Sequence, residues 1–80
     1  MQVTISQHQE LILRTSLVLL PTMADRVDDF LARLLEQNSD PYLAHRVKPA
    51  VAALRAGNFT AARRWLERAM GYLQTRLAHR

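Results

Sequence analysis

Ala53-Leu54-Arg55-Ala56-Gly57-Asn58-Phe59-Thr60-Ala61-Ala62 carries the end of one helix and the start of another. Glycine is the residue that most readily takes the left-handed conformation closing a helix C-terminus. Asn58 or Thr60 supplies a side-chain oxygen for the first orphan amides of the helix that follows. Beyond this turn Phe59, Ala62, Leu66, Ala69, Met70, Leu73 and Leu77 recur at helical spacing, which predicts a helix over 58–79. Trp65 and Tyr72 widen its apolar stripe toward half the circumference.

Upstream, Asn38-Ser39-Asp40 is a turn cluster in which Asp40 caps a helix and Pro41 takes the favoured first position. That helix is expected over 41–56. Pro49 is expected to divide it into a short turn at 41–47, a bend, and a second segment from 49, because proline lacks the amide a helix interior needs. Two further helices precede it. One runs over 6–20, opened by a capping box at Ser6 and Gln9 and ended by Pro21. The other runs over 22–37 and starts from Thr22, with Asp25 three residues on. In the latter, Met23, Val27, Phe30, Leu31, Leu34 and Leu35 share one face, and Asp25, Asp29 and Glu36 the other, as in an ordinary half-buried helix. The expectation is a single all-α domain over 1–80, a compact bundle of about four helices.

The first helix does not follow that pattern. Ile5, Leu11, Ile12, Leu13, Leu17, Val18, Leu19 and Leu20 point nearly all round, leaving Gln7, Glu10 and Arg14 as a thin polar ridge. Either it is the central helix of the bundle, with Trp65 and Tyr72 packed on its flanks, or a partner chain covers it. Exposed apolar area beyond a few hundred Å² is uncommon in monomers, and symmetric homodimers are the commonest oligomers. The expected form is therefore a homodimer or a complex with another protein, contacted through Trp65, Tyr72, Leu17 and Val18.

The segment from about 49 to 73 resembles the turn and second helix of a tetratricopeptide repeat. Gly57, Asn58, Phe59, Ala62, Leu66 and Ala69 stand at the matching offsets. In the preceding helix Ala50 and Ala53 fit small-residue positions, whereas Pro49 replaces a large apolar residue. Only one copy is present, and repeat arrays need about three to bury a continuous core. The resemblance implies an α-hairpin of the kind that recognises protein partners.

Composition narrows the alternatives. Eighty residues without cysteine build a small core and no disulfide. His8, His45 and His79 lie far apart in sequence, unlike the closely spaced ligands of a zinc site. Neither a metal nor another cofactor is expected. The apolar run 11–20 is interrupted by Arg14, Thr15 and Ser16 and falls short of the ~20 residues of a membrane span. It also lacks the basic flank of a signal peptide, so a cytoplasmic location is expected. His8 is expected to be packed or at an interface. Asp25, Asp28 and Asp29 are explained by a helix N-terminus, whose dipole favours negative charge. No nucleophile elbow or glycine-rich phosphate loop occurs, the glycines being Gly57 and Gly71 alone. An enzyme is not expected, nor a small-molecule substrate.

The net charge of +4 is unevenly divided. Residues 1–40 hold three arginines against six carboxylates, whereas 41–80 hold seven arginines and Lys48 against Glu67 alone. A basic half can neutralise phosphates and so bind nucleic acid. Arg46, Lys48, Arg63, Arg64 and Arg68 are the candidates for contact with nucleic acid or with an acidic protein. A narrower variant treats Gln2-Val3-Thr4-Ile5-Ser6 as a strand of a ribbon-helix-helix fold, with Gln2, Thr4 and Ser6 reading the major groove. The acidic N-terminal half weighs against it. The leading expectation is a non-catalytic protein–protein interaction module, an adaptor, inhibitor or regulator. The alternative is a nucleic-acid-binding regulator.

Overall fold

A computed structural model describes residues 5–20 and 22–78, with side chains from Gln7 onward apart from position 21. Four helices follow one another: α1 (Ile5–Leu19), α2 (Ala24–Gln37), α3 (Pro41–Arg55) and α4 (Phe59–Ala78). Hydrogen bonds between helix ends fix their directions. Gln9, early in α1, donates to Asn38 just past α2. Arg55 at the end of α3 pairs with Asp28 early in α2. Arg63 in the first turns of α4 donates to the Leu20 carbonyl just past α1. Asp40 before α3 meets Tyr72 and Arg76 late in α4. Each helix is therefore antiparallel to its neighbours, in an up-down-up-down bundle. Among the described residues, no Cα of α1 lies within 8 Å of one in α3, nor any of α2 within 8 Å of one in α4. The four stand two by two, and no helix is central.

Where the sequence carries cap chemistry, the turns follow it. Asp40 accepts from the Tyr42 amide at 2.9 Å, and Asn58 accepts from the Ala61 amide at 3.1 Å. Gly57 takes φ +79°, the left-handed conformation that ends α3. Thr22 does not cap α2: Met23 is the N-cap, without a side-chain hydrogen bond. The connection from α1 is too tight for the expected start, since the Met23 amide still bonds to the Leu19 carbonyl at 2.9 Å. Ile5 and Ser6 lie inside α1, so the helix starts before the proposed capping box and those two residues do not extend a strand. Gln2, Val3 and Thr4 lie outside the described residues.

The break expected at Pro49 is absent, and α3 runs unbroken from Pro41 to Arg55. Its buried residues straddle the proline, with Leu43 and Val47 before it and Ala50, Val51 and Leu54 after it. Burying that stripe along its whole length outweighs one lost backbone hydrogen bond and the local clash. Pro49 should therefore be a removable defect. Pro49→Ala is expected to raise stability by about 2 kcal/mol, the interior-proline cost less the entropy proline removes from the unfolded chain. A urea titration would show it as a higher midpoint with an unchanged slope.

The core joins Leu13 and Leu20 of the α1 side, Val27, Leu31 and Leu34 of α2, Leu43, Val47 and Leu54 of α3, and Leu66 and Leu73 of α4. Helix α1 turns inward a stripe that also includes Gln9 and Ser16. Ser16 satisfies its hydroxyl on the Ile12 carbonyl at 2.8 Å, and Gln9 donates to Asn38 at 3.0 Å. Among the described residues no buried side-chain nitrogen or oxygen lacks a partner. With two polar residues turned inward, Leu11 and Val18 are left outside.

Candidate functional site

Two surfaces collect most of the residues singled out from the sequence, and they do not coincide. The first is the outer face of α1. Leu11 is 58% exposed and Val18 is 77% exposed, seven residues apart and therefore two turns along one face, with exposed Thr15 between them. Ile12 and half-buried Phe30 of α2 join Leu11 and Thr15 around a shallow apolar depression. Ile12 thus marks the α2 side of the helix. Leu17, five residues further on, falls on the opposite flank toward α4, where it is half-buried against the core. His8 is exposed rather than packed.

The second surface is the seam between α3 and α4. Tyr72 belongs to it through Asp40, which accepts from its hydroxyl at 2.5 Å. The Tyr42 ring lies 6.4 Å away. The Arg46 guanidinium stands 4.9 Å from the Tyr72 ring centre, and that of Arg76 stands 5.9 Å from it. Trp65, two turns earlier on the same edge of α4, carries Arg68 at 5.1 Å. Both rings are half-buried and packed against the core. Since α3 and α1 are diagonal, Trp65 and Tyr72 face away from Leu17 and Val18. The structure brings the four expected contact residues together only in pairs.

The basic residues are likewise distributed. Arg46 and Arg68 share the α3–α4 seam. Lys48, two turns before Arg55, shares the edge by which Arg55 reaches Asp28 of α2. Arg63 reaches the α1 side through the Leu20 carbonyl at 3.4 Å. Arg64 is exposed on the outside of α4.

Asp40 is the hub of the seam and has no counterpart among the expected site residues. Its carboxylate caps α3, accepts from Tyr72 and pairs with Arg76. Burial pushes its pKa up, but the hydrogen bonds from the Tyr72 hydroxyl and the Tyr42 and Leu43 amides, with the Arg76 charge, outweigh this. The net effect holds the carboxyl below its usual range. The same bond, with burial and the carboxylate charge, raises the Tyr72 phenol above its usual range. Asp40, Tyr42 and Arg76 were missed because their roles depend on two distant segments meeting. The only local signal was the cap at Asp40.

Comparison with protein families, with curated proteins and with solved structures returns no match for this chain. Among the described residues no three or more His, Cys, Asp or Glu side chains are grouped to hold a metal ion. No helix there is long and apolar enough to cross a membrane.

Proposed function

We propose that this chain is a non-catalytic protein–protein interaction module, acting as an adaptor, inhibitor or regulator and pairing with a second copy through the outer face of α1. One observation carries this: Leu11 and Val18 stand in solvent two turns apart on one helix face, while Gln9 and Ser16 occupy the core. That arrangement favours an apolar cover for α1. A two-fold pairing of the face with itself would bring Leu11 and Val18 against their counterparts and leave the α3–α4 seam open. Leu17 borders the same face. Trp65 and Tyr72 would serve a second contact, in keeping with the tetratricopeptide-like hairpin on which they lie. The cysteine-free composition fits a reducing compartment, so the proposed place of action is the cytoplasm.

Light scattering of the purified chain across a concentration series tests this. The expected mass is twice that of one chain, falling to the single-chain value in the double variant Leu11→Asp, Val18→Asp. Both positions are exposed, so helicity measured by circular dichroism should be kept. A wild-type chain that stays monomeric at high concentration, or a double variant that stays dimeric, rejects the pairing.

The excess of cations in the C-terminal half, seven arginines and Lys48 against Glu67, favours a second reading, a nucleic-acid-binding regulator. It requires affinity for DNA or RNA that falls steeply with added salt.

A further inference from the structure

We infer that the α3–α4 seam is a docking surface for an acidic helical segment of another protein, bound through Arg46 and Arg68. This rests on the reading of the chain as an interaction module and names the partner's chemistry. A guanidinium laid on an aromatic face keeps its N–H edge free, and its side chain is already ordered when a ligand arrives. Arg68 on Trp65 and Arg46 on Tyr72 are two such groups. Arg46 uses one donor on the Tyr42 carbonyl at 2.8 Å, and a guanidinium has five. The stacks sit on Trp65 and Tyr72, seven residues apart, so the guanidiniums held over those two rings are offset by about 10 Å along the bundle. Carboxylates two turns apart on one face of a helix have nearly that spacing. The third cation of the seam, Arg76, is already paired with Asp40.

Charge complementarity and ring geometry argue for carboxylates rather than nucleic acid. Single-stranded nucleic acids stack their bases on open ring faces, and here arginines lie over both rings. A duplex needs a continuous track of cations, yet Lys48 and Arg63 are turned to other edges of the bundle. A second copy is a poor occupant. Of its exposed acidic residues, Asp25, Asp29 and Glu36 belong to α2, diagonal to α4, so that contact would run head to tail and would not close in a pair, and Glu67, one turn from Arg63, is a single carboxylate on the α1 side of α4.

Trp65 is the only tryptophan, so its fluorescence reports on the seam directly. The titrants are a soluble alanine-based helical peptide with glutamates two turns apart on one face and no aromatic residue, its glutamine twin, and an oligo-dT strand. The glutamate peptide is expected to give a saturable change at low salt. Its affinity should be about ten-fold weaker for the twin and for each of Arg46→Gln and Arg68→Gln, the loss of one charged hydrogen bond, and unchanged for Lys48→Gln. Circular dichroism establishes that the variants are folded. The inference is overturned by no saturable change with the glutamate peptide, by tighter binding of oligo-dT, or by an equal loss in Lys48→Gln. Mass that grows without limit as concentration rises, and is suppressed by Arg68→Gln, would assign the seam to self-assembly instead. If the peptide fails while Leu11→Asp, Val18→Asp still halves the mass, only this inference falls. If the mass is unaffected while the peptide binds, only the pairing falls.

Discussion

Leu66→Ala should leave the chain largely unfolded at room temperature. Leu66 is fully buried in α4, and α4 packs against both α3 and α1. Removing a buried leucine side chain costs about 2–5 kcal/mol, most where the surroundings cannot collapse into the space. A core of this size supplies a net stability of only about 3–5 kcal/mol. The two magnitudes are comparable, so one substitution suffices. Far-UV circular dichroism should show loss of most helical signal, or a urea midpoint close to zero. Val18→Ala is the control: the side chain is 77% exposed, and the expected change is within about 0.5 kcal/mol. An equal effect from the two would mean that the helices are not packed as described.

The second large effect belongs to Asp40. Asp40→Ala removes the cap of α3, worth about 1 kcal/mol, and leaves Tyr72 and Arg76 without their acceptor. Hydrogen bonds to a charged group contribute about 1.5 kcal/mol or more, and partial exposure limits the ion pair. The total loss should be about 2–3 kcal/mol. The pH dependence has a definite sign. A carboxyl whose pKa is lowered by folding stabilises the fold fully above its ordinary value of about 3.9, and loses that contribution as pH falls through the folded value. Tyr72, raised by folding, acts oppositely: its contribution is complete below about pH 10 and disappears as pH rises through the folded value. The melting-temperature gap between wild type and Asp40→Ala should thus be widest between these limits and shrink toward acid and toward alkali. A gap that widened with acid would contradict the assignment of Asp40 as an acceptor.

Much of the fold was legible because its signals are local. Asp40-Pro41 and Gly57-Asn58 each determine a helix end within a few residues, and the stripe Val27, Leu31, Leu34 repeats cleanly enough to point α2 inward. Pro49 misled because its cost is local, whereas the burial that overrides it comes from Val47, Ala50 and Val51 meeting other helices. The first helix misled for a related reason. With leucines and valines on most sides, periodicity alone could not say which of them would be left out. The choice was made by Gln9, which finds Asn38 across the α2–α3 turn, and by Ser16, which satisfies itself on its own backbone. The seam was half legible. Trp65, Tyr72, Arg46 and Arg68 stood out by type, but their stacking requires α3 and α4 to be antiparallel neighbours. In the sequence Asp40 shows only as a cap, because its partners Tyr72 and Arg76 lie 32 and 36 residues away.

The up-down order of the bundle has a kinetic consequence. Three of its four helix pairings join neighbours in the chain across short turns, so most loops closed during folding are small, and chains dominated by such local contacts fold in microseconds to milliseconds. Only the pairing of α1 with α4 spans the whole chain. The late, entropically costly event is therefore the arrival of the first helix on the last, and until it happens the apolar sides these two helices turn to each other are open to water. A bundle with the same helices but crossed connections would keep that greasy surface open longer, with more time to aggregate.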